Sequence, residues 1–116
     1  MTEQERARER LAAERADALA RANGLERELA AIIESSGAAG TDDEHDPEGA
    51  TIAFERQHAA ALLGQARQQL TEIDAALRRV TAGSYGRCAT CGQPIGSDRL
   101  AARPTATTCI GCARGR

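Results

Sequence analysis

Lysine and tryptophan are absent from this 116-residue chain, and the only aromatic residues are Phe54 and Tyr85. So few aromatics argue against a large globular core, so stability has to come from a metal or a repetitive helical seam, the usual substitutes in chains with little to bury. No purely apolar run exceeds five residues, far short of the roughly 20 needed to cross a bilayer. The opening Met1-Thr2-Glu3-Gln4-Glu5-Arg6 has charge where a secretory signal would have an apolar stretch, which points to the reducing cytoplasm and away from disulfide chemistry. All 15 basic residues are Arg, beside a heavy load of Ala, a bias we read first as one of codon usage. The net charge of −2 hides a division. Residues 1–77 carry eight Arg against sixteen acids, whereas residues 78–116 carry seven Arg against Asp98 alone. One end of the chain is acidic and the other basic.

The four cysteines, Cys88, Cys91, Cys109 and Cys112, form two Cys-x-x-Cys pairs separated by 17 residues. Such a turn places two sulfurs on one side of a metal, and a second one returning after some fifteen to twenty residues completes a closed thiolate tetrahedron. The spacing predicts one structural zinc with no open position for chemistry. A dithiol redox centre would need one pair only and a strand-helix scaffold around it. Here small and turn residues surround both pairs: Gly86, Gly92, Pro94 and Gly96 about the first and Gly111 within the second.

Upstream, the composition is helical. From about residue 3 to residue 34, Ala, Glu, Arg and Leu dominate, and Leu11, Ala18, Leu25 and Ile32 recur every seven residues, with Ala22 and Leu29 between them. The phase carries through Asn23-Gly24, predicting a weak spot within one helix. A second seam runs from about Pro47 to Ala82 on Ile52, Ala59, Ala66, Ile73 and Val80, with Leu63, Leu70 and Leu77 in the intermediate positions. Asp46 is placed to cap it, Pro47 to open it and Gly83 to stop it. Two seams of matching length on either side of a Ser/Gly/Ala-rich connection favour an antiparallel hairpin over an intermolecular coiled coil. About thirty residues at about 1.5 Å each make it roughly 45 Å long. The expected fold is therefore mainly α: a long antiparallel helical hairpin over residues 1–82, with an acidic tip at about 36–49, followed by a small four-cysteine zinc finger over 83–116.

The tip collects Asp42, Asp43, Glu44, Asp46 and Glu48 within seven residues. Such mutual repulsion does not serve stability. A calcium loop is ruled out, because Pro47 stands where the turn glycine belongs and Ala53 where a bidentate Glu is required. At the other end, Arg78, Arg79, Arg87, Arg99, Arg103, Arg114 and Arg116 surround the cysteines in sequence. Part of their charge offsets the formal −2 of a four-thiolate zinc. The remainder suits phosphate or an acidic protein, and without stacking aromatics or a recognition helix a protein partner is favoured over sequence-specific DNA reading.

The run Gly83-Ser84-Tyr85-Gly86-Arg87-Cys88-Ala89-Thr90-Cys91-Gly92, continued by Ile95, Arg99-Leu100, Ala102, Pro104, Ala106 and Cys109-Ile110-Gly111-Cys112, resembles the four-cysteine zinc finger of the DksA/TraR family. The hairpin ahead of it agrees with that family's layout. The resemblance implies a cytoplasmic transcription regulator that binds RNA polymerase and not DNA. It implies a hairpin entering the secondary channel, tip acids near the catalytic magnesium, a zinc module at the channel's rim, and action in concert with the alarmone ppGpp. The tip residues this layout points to are Asp42, Asp43, Asp46, Glu48 and Ala50, and the basic charge around the cysteines marks Arg87, Arg99 and Arg103 as partner contacts of the zinc end. The family's tip commonly reads Asp-x-x-Asp-x-Ala; here Asp43 and Asp46 keep the acidic spacing, but Glu48 takes the sixth position. Two other functions compete: a zinc-ribbon nucleic-acid binder dimerised by its coiled coil, and a thiol-based redox sensor. No nucleophile-base pair, phosphate loop or open metal site suggests an enzyme.

Overall fold

The computed structural model describes residues 1–39 and 47–115. Four helices follow in order: α1 (Glu3–Ala39), α2 (Pro47–Ala82), α3 (Ser97–Ala102) and α4 (Ile110–Ala113). The first two are long and pack against each other as a hairpin, and the four-cysteine cluster follows them. Their antiparallel sense is written in the cross-links, since partners on α2 descend as those on α1 ascend. Arg15 pairs with Asp74 at 2.7 Å, Arg21 donates to Gln69 at 3.3 Å and Arg67 meets Glu26 at 2.6 Å.

α1 begins where Thr2 caps it, the hydroxyl accepting the Glu5 amide at 3.0 Å. It passes through Asn23-Gly24 without interruption, as the unbroken heptad phase anticipates. It also continues beyond Glu34 through Ser35-Ser36-Gly37, because extending a formed helix gains one hydrogen bond for each residue fixed. α2 spans the residues the second seam marks out, and Gly83 ends it with a φ of 82°, the left-handed conformation that a residue without Cβ adopts at least cost. Its last turn is closed by Ser84 N–H donating to the Arg79 carbonyl at 2.9 Å.

The chain divides into two compact units. The first, residues 1–16 and 71–116, holds the hairpin's open end and the cysteine module, and in it Leu11, Ile73 and Val80 are the largest fully buried side chains. Arg10 reaches from α1 to the carbonyls of Leu100 and Ala101, the exposed C-terminal acceptors of α3. A cleft of about 520 Å³ lies beside that contact, lined in part by Gln4, Arg6, Tyr85 and Leu100. In the second unit, residues 17–70, the buried cluster is Ala22, Leu63 and Ala66, flanked by half-buried Leu25, Leu29 and Leu70. These are the seam positions of both heptad series. No described helix is long and apolar enough to cross a membrane.

Candidate metal centre

Each pair of cysteines sits on a short knuckle held by backbone bonds. In the first, Gly92 donates to the Cys88 carbonyl at 3.0 Å, and its φ of 76° lets the chain turn back there. Cys88 N–H then bonds the Gln93 carbonyl at 2.8 Å, Ile95 N–H bonds the Gly86 carbonyl at 2.8 Å, and a single antiparallel bridge pairs Arg87 with Pro94. In the second knuckle Cys109 precedes α4 and its carbonyl accepts the Ala113 amide at 2.9 Å. The two are joined directly where Ala89 N–H donates to the Thr107 carbonyl at 2.8 Å.

This arrangement brings all four sulfurs within 4.8 Å of one another. Cys91 and Cys109 lie 3.8 Å apart, Sγ to Sγ. A tetrahedron with Zn–S arms of about 2.3 Å has edges of about 3.8 Å. Four thiol donors within 4.8 Å of one another, one pair of them at the tetrahedral edge, fit one zinc ion with Cys88, Cys91, Cys109 and Cys112 as its ligands, and among the described residues no further His, Cys, Asp or Glu joins the group. When bound, such an ion supplies a crosslink and no reactive position. Cys88 is buried, Cys109 and Cys112 are half-buried and Cys91 is exposed.

The thiols are prepared unequally for losing protons. Backbone amides, that of Cys91 first and then that of Cys109, hold the Cys88 thiol down to about 6. The Cys112 amide similarly lowers Cys109. Cys112 itself is pushed up to about 12, mainly by its hydrogen bond to Cys109. Amide-to-sulfur bonds favour the thiolate, the form that ligates metal.

Two of the three zinc-end arginines singled out in the sequence brace these knuckles. Arg87 Nη1 donates to the Gly92 carbonyl at 2.9 Å and Arg99 Nε to the Thr108 carbonyl at 2.8 Å. Arg103 is exposed, and its amide closes α3 on the Arg99 carbonyl at 2.7 Å. Among the tip residues, Asp42, Asp43 and Asp46 lie outside the described residues, while Glu48 and Ala50 are exposed near the start of α2. Two further donors, named in the sequence but given no site role there, also serve the module. Tyr85 donates its hydroxyl to the Pro104 carbonyl at 2.8 Å, and Arg79 reaches the Thr105 carbonyl at 3.4 Å. The one signal for Tyr85 was its being a lone tyrosine beside the first cysteine pair. Burial raises its phenol above the usual range, against the neighbouring guanidinium groups of Arg10 and Arg79.

Comparison with known proteins follows the same outline. The model of the prokaryotic dksA/traR C4-type zinc finger matches residues 83–116. Over 44 residues the chain is 57% identical to the RNA polymerase-binding transcription factor DksA of Caulobacter vibrioides, covering 38% of this chain and 31% of that protein. Over 66 residues it is 39% identical to the uncharacterized protein YteA of Bacillus subtilis, covering 57% of this chain and 28% of the relative. The aligned part thus spans about a third or less of these curated relatives. Among solved structures, transcription factor DksA2 from Pseudomonas aeruginosa superposes with a TM-score of 0.80 at 33% identity, over 96% of this chain and 80% of that one.

Proposed function

Since the chain belongs to the DksA/TraR family of C4-type zinc-finger proteins, we propose that it is a cytoplasmic regulator of transcription that binds RNA polymerase through the secondary channel. The observation that carries this reading is the likeness to DksA2 along nearly the whole chain, hairpin and cysteine module alike. Labour divides between residues 1–82, the hairpin that enters the channel, and 83–116, the module that seats it at the rim. Asp42, Asp43, Asp46 and Glu48 present carboxylates to the metal and basic groups of the polymerase active centre, with Ala50 just beyond them. At the zinc end Arg103 makes the rim contact, and Arg87 and Arg99 add only the guanidinium edges left over from their internal bonds. The effect on transcription is a shift between polymerase states through differential contact.

Binding to purified RNA polymerase and the lifetime of promoter complexes test this reading, with and without ppGpp. Wild-type protein alters the lifetime, and Asp43→Asn and Asp46→Asn abolish that change while still binding. Variants that retain the full effect would remove the tip from the mechanism; a wild-type protein that fails to bind polymerase would remove the function. A change that appears only with ppGpp assigns the alarmone a part at the same interface. The nucleic-acid reading is weakened by the structure of the module, where Arg79, Arg87 and Arg99 all spend donors on backbone carbonyls. It calls for steeply salt-dependent retention of DNA or RNA, and a mobility shift at low salt without retention excludes it.

A further inference from the structure

The segment between α3 and the second knuckle, residues 103–108, has no regular structure, yet its carbonyls are taken in close succession by donors from elsewhere. Pro104 accepts from the Tyr85 hydroxyl at 2.8 Å, Thr105 from Arg79 at 3.4 Å, Thr107 from the Ala89 amide at 2.8 Å and Thr108 from Arg99 Nε at 2.8 Å. Three of these four are side chains. A loop without its own ladder is thus held in register by groups that converge on it from the end of α2, the first knuckle and α3.

The last of these bonds bears on the metal ligand. The Thr108 carbonyl and the Cys109 amide belong to one planar peptide unit. Whatever holds that carbonyl therefore sets the plane from which the Cys109 side chain departs. A swing of about 10° at this Cα moves the sulfur by roughly 0.5 Å, larger than the ~0.2 Å spread that a zinc–ligand bond tolerates. We propose that Arg99 is a positioning residue for the zinc site: it touches no sulfur, but by gripping the Thr108 carbonyl it aims Cys109 at the metal. Its guanidinium is half-buried, so the bond is sheltered from competing water, and a charged donor gives a stronger grip than a neutral one. The inference is independent of the polymerase reading, because it concerns metal affinity alone.

The test is zinc competition against a chromophoric chelator, together with the absorption spectrum of the cobalt-substituted protein, for the full chain carrying Arg99→Met or Arg99→Lys. Methionine keeps the apolar stem and removes the donor, whereas lysine keeps a cationic donor. Loss of a group that orients a metal ligand costs about 10- to 100-fold in affinity. Arg99→Met is expected to fall in that range and to shift the cobalt ligand-field bands, with helicity of the hairpin unchanged by circular dichroism. Arg99→Lys is expected to bind zinc within a few-fold of wild type with the wild-type cobalt spectrum. Wild-type affinity and spectrum in Arg99→Met overturn the proposal. So does an Arg99→Lys protein as defective as Arg99→Met, which would assign the loss to packing and not to the carbonyl grip.

Discussion

Three Gly→Ala substitutions should change stability in opposite directions, and the backbone decides the sign. Gly24 and Gly64 lie inside α1 and α2, and a Cβ built at either meets nothing within 4 Å. Neither position has the positive φ that would require glycine. Alanine there adds no clash and little packing, so the gain is the helix-propensity difference alone, about 1 kcal/mol at each site. The double variant should gain about 1–2 kcal/mol if the sites act independently. Gly83 also has open space around it, but its φ is 82°. An L-residue in that conformation costs roughly 1–2 kcal/mol, so the same chemical change there should destabilise. For a chain of this size, 1 kcal/mol corresponds to about 4 °C in Tm. Urea and thermal unfolding followed by circular dichroism, at one zinc concentration throughout, should place the Gly24→Ala/Gly64→Ala protein several degrees above wild type and Gly83→Ala several degrees below. Shifts of the same sign in all three would refute the assignment of these helices and of the left-handed stop between α2 and the module.

Ile73→Ala removes a fully buried side chain and should cost about 2–5 kcal/mol in denaturant unfolding, whereas exposed Phe54→Ala should leave the midpoint nearly unchanged. Cys109→Ser should fail to hold zinc at native affinity and should accelerate amide exchange across residues 83–115, while the hairpin keeps its helical signal; one tightly held equivalent of metal would contradict a four-thiolate site. Asp74→Asn should weaken the protein slightly at neutral pH, the pair being solvent-exposed on both sides. The Arg15 hydrogen bond holds the Asp74 carboxyl below its ordinary value of 3.8. The pair's contribution is therefore complete above that value and lost as pH falls through the lower native one, so the gap between variant and wild type should close in acid.

Periodicity and spacing made much of this molecule legible. The seven-residue recurrence of Ile52, Ala59, Ala66, Ile73 and Val80 marks the extent of α2, and the matched phase through Gly24 foretells one continuous α1. The cysteine spacing foretells the cluster, because a Cys-x-x-Cys turn places its sulfurs by local geometry. The braces of the module were not legible. In sequence, Arg87 and Arg99 read as zinc-end charge for a partner, and only the folded chain reveals that each spends donors on a carbonyl five or nine residues away. Tyr85 and Arg79 bond to acceptors 19 and 26 residues distant in a loop with no periodicity to read. Such bonds depend on where the backbone happens to return, and no pattern of residue types encodes that.

The makeup of the seam itself has a bearing on how the molecule opens. Leu11, Ile73 and Val80 all belong to the unit that contains the cysteines, whereas among the described residues between 17 and 70 the buried positions are Ala18, Ala22, Ala59, Leu63 and Ala66. A methyl group withdraws far less apolar area from water than a branched side chain. That stretch is closed like a zip fastener with mostly shallow teeth, alanine methyls relieved by Leu63 and its half-buried leucine neighbours. Transient parting of its two helices should demand less free energy than global unfolding, giving it a separate, faster class of exchanging amides.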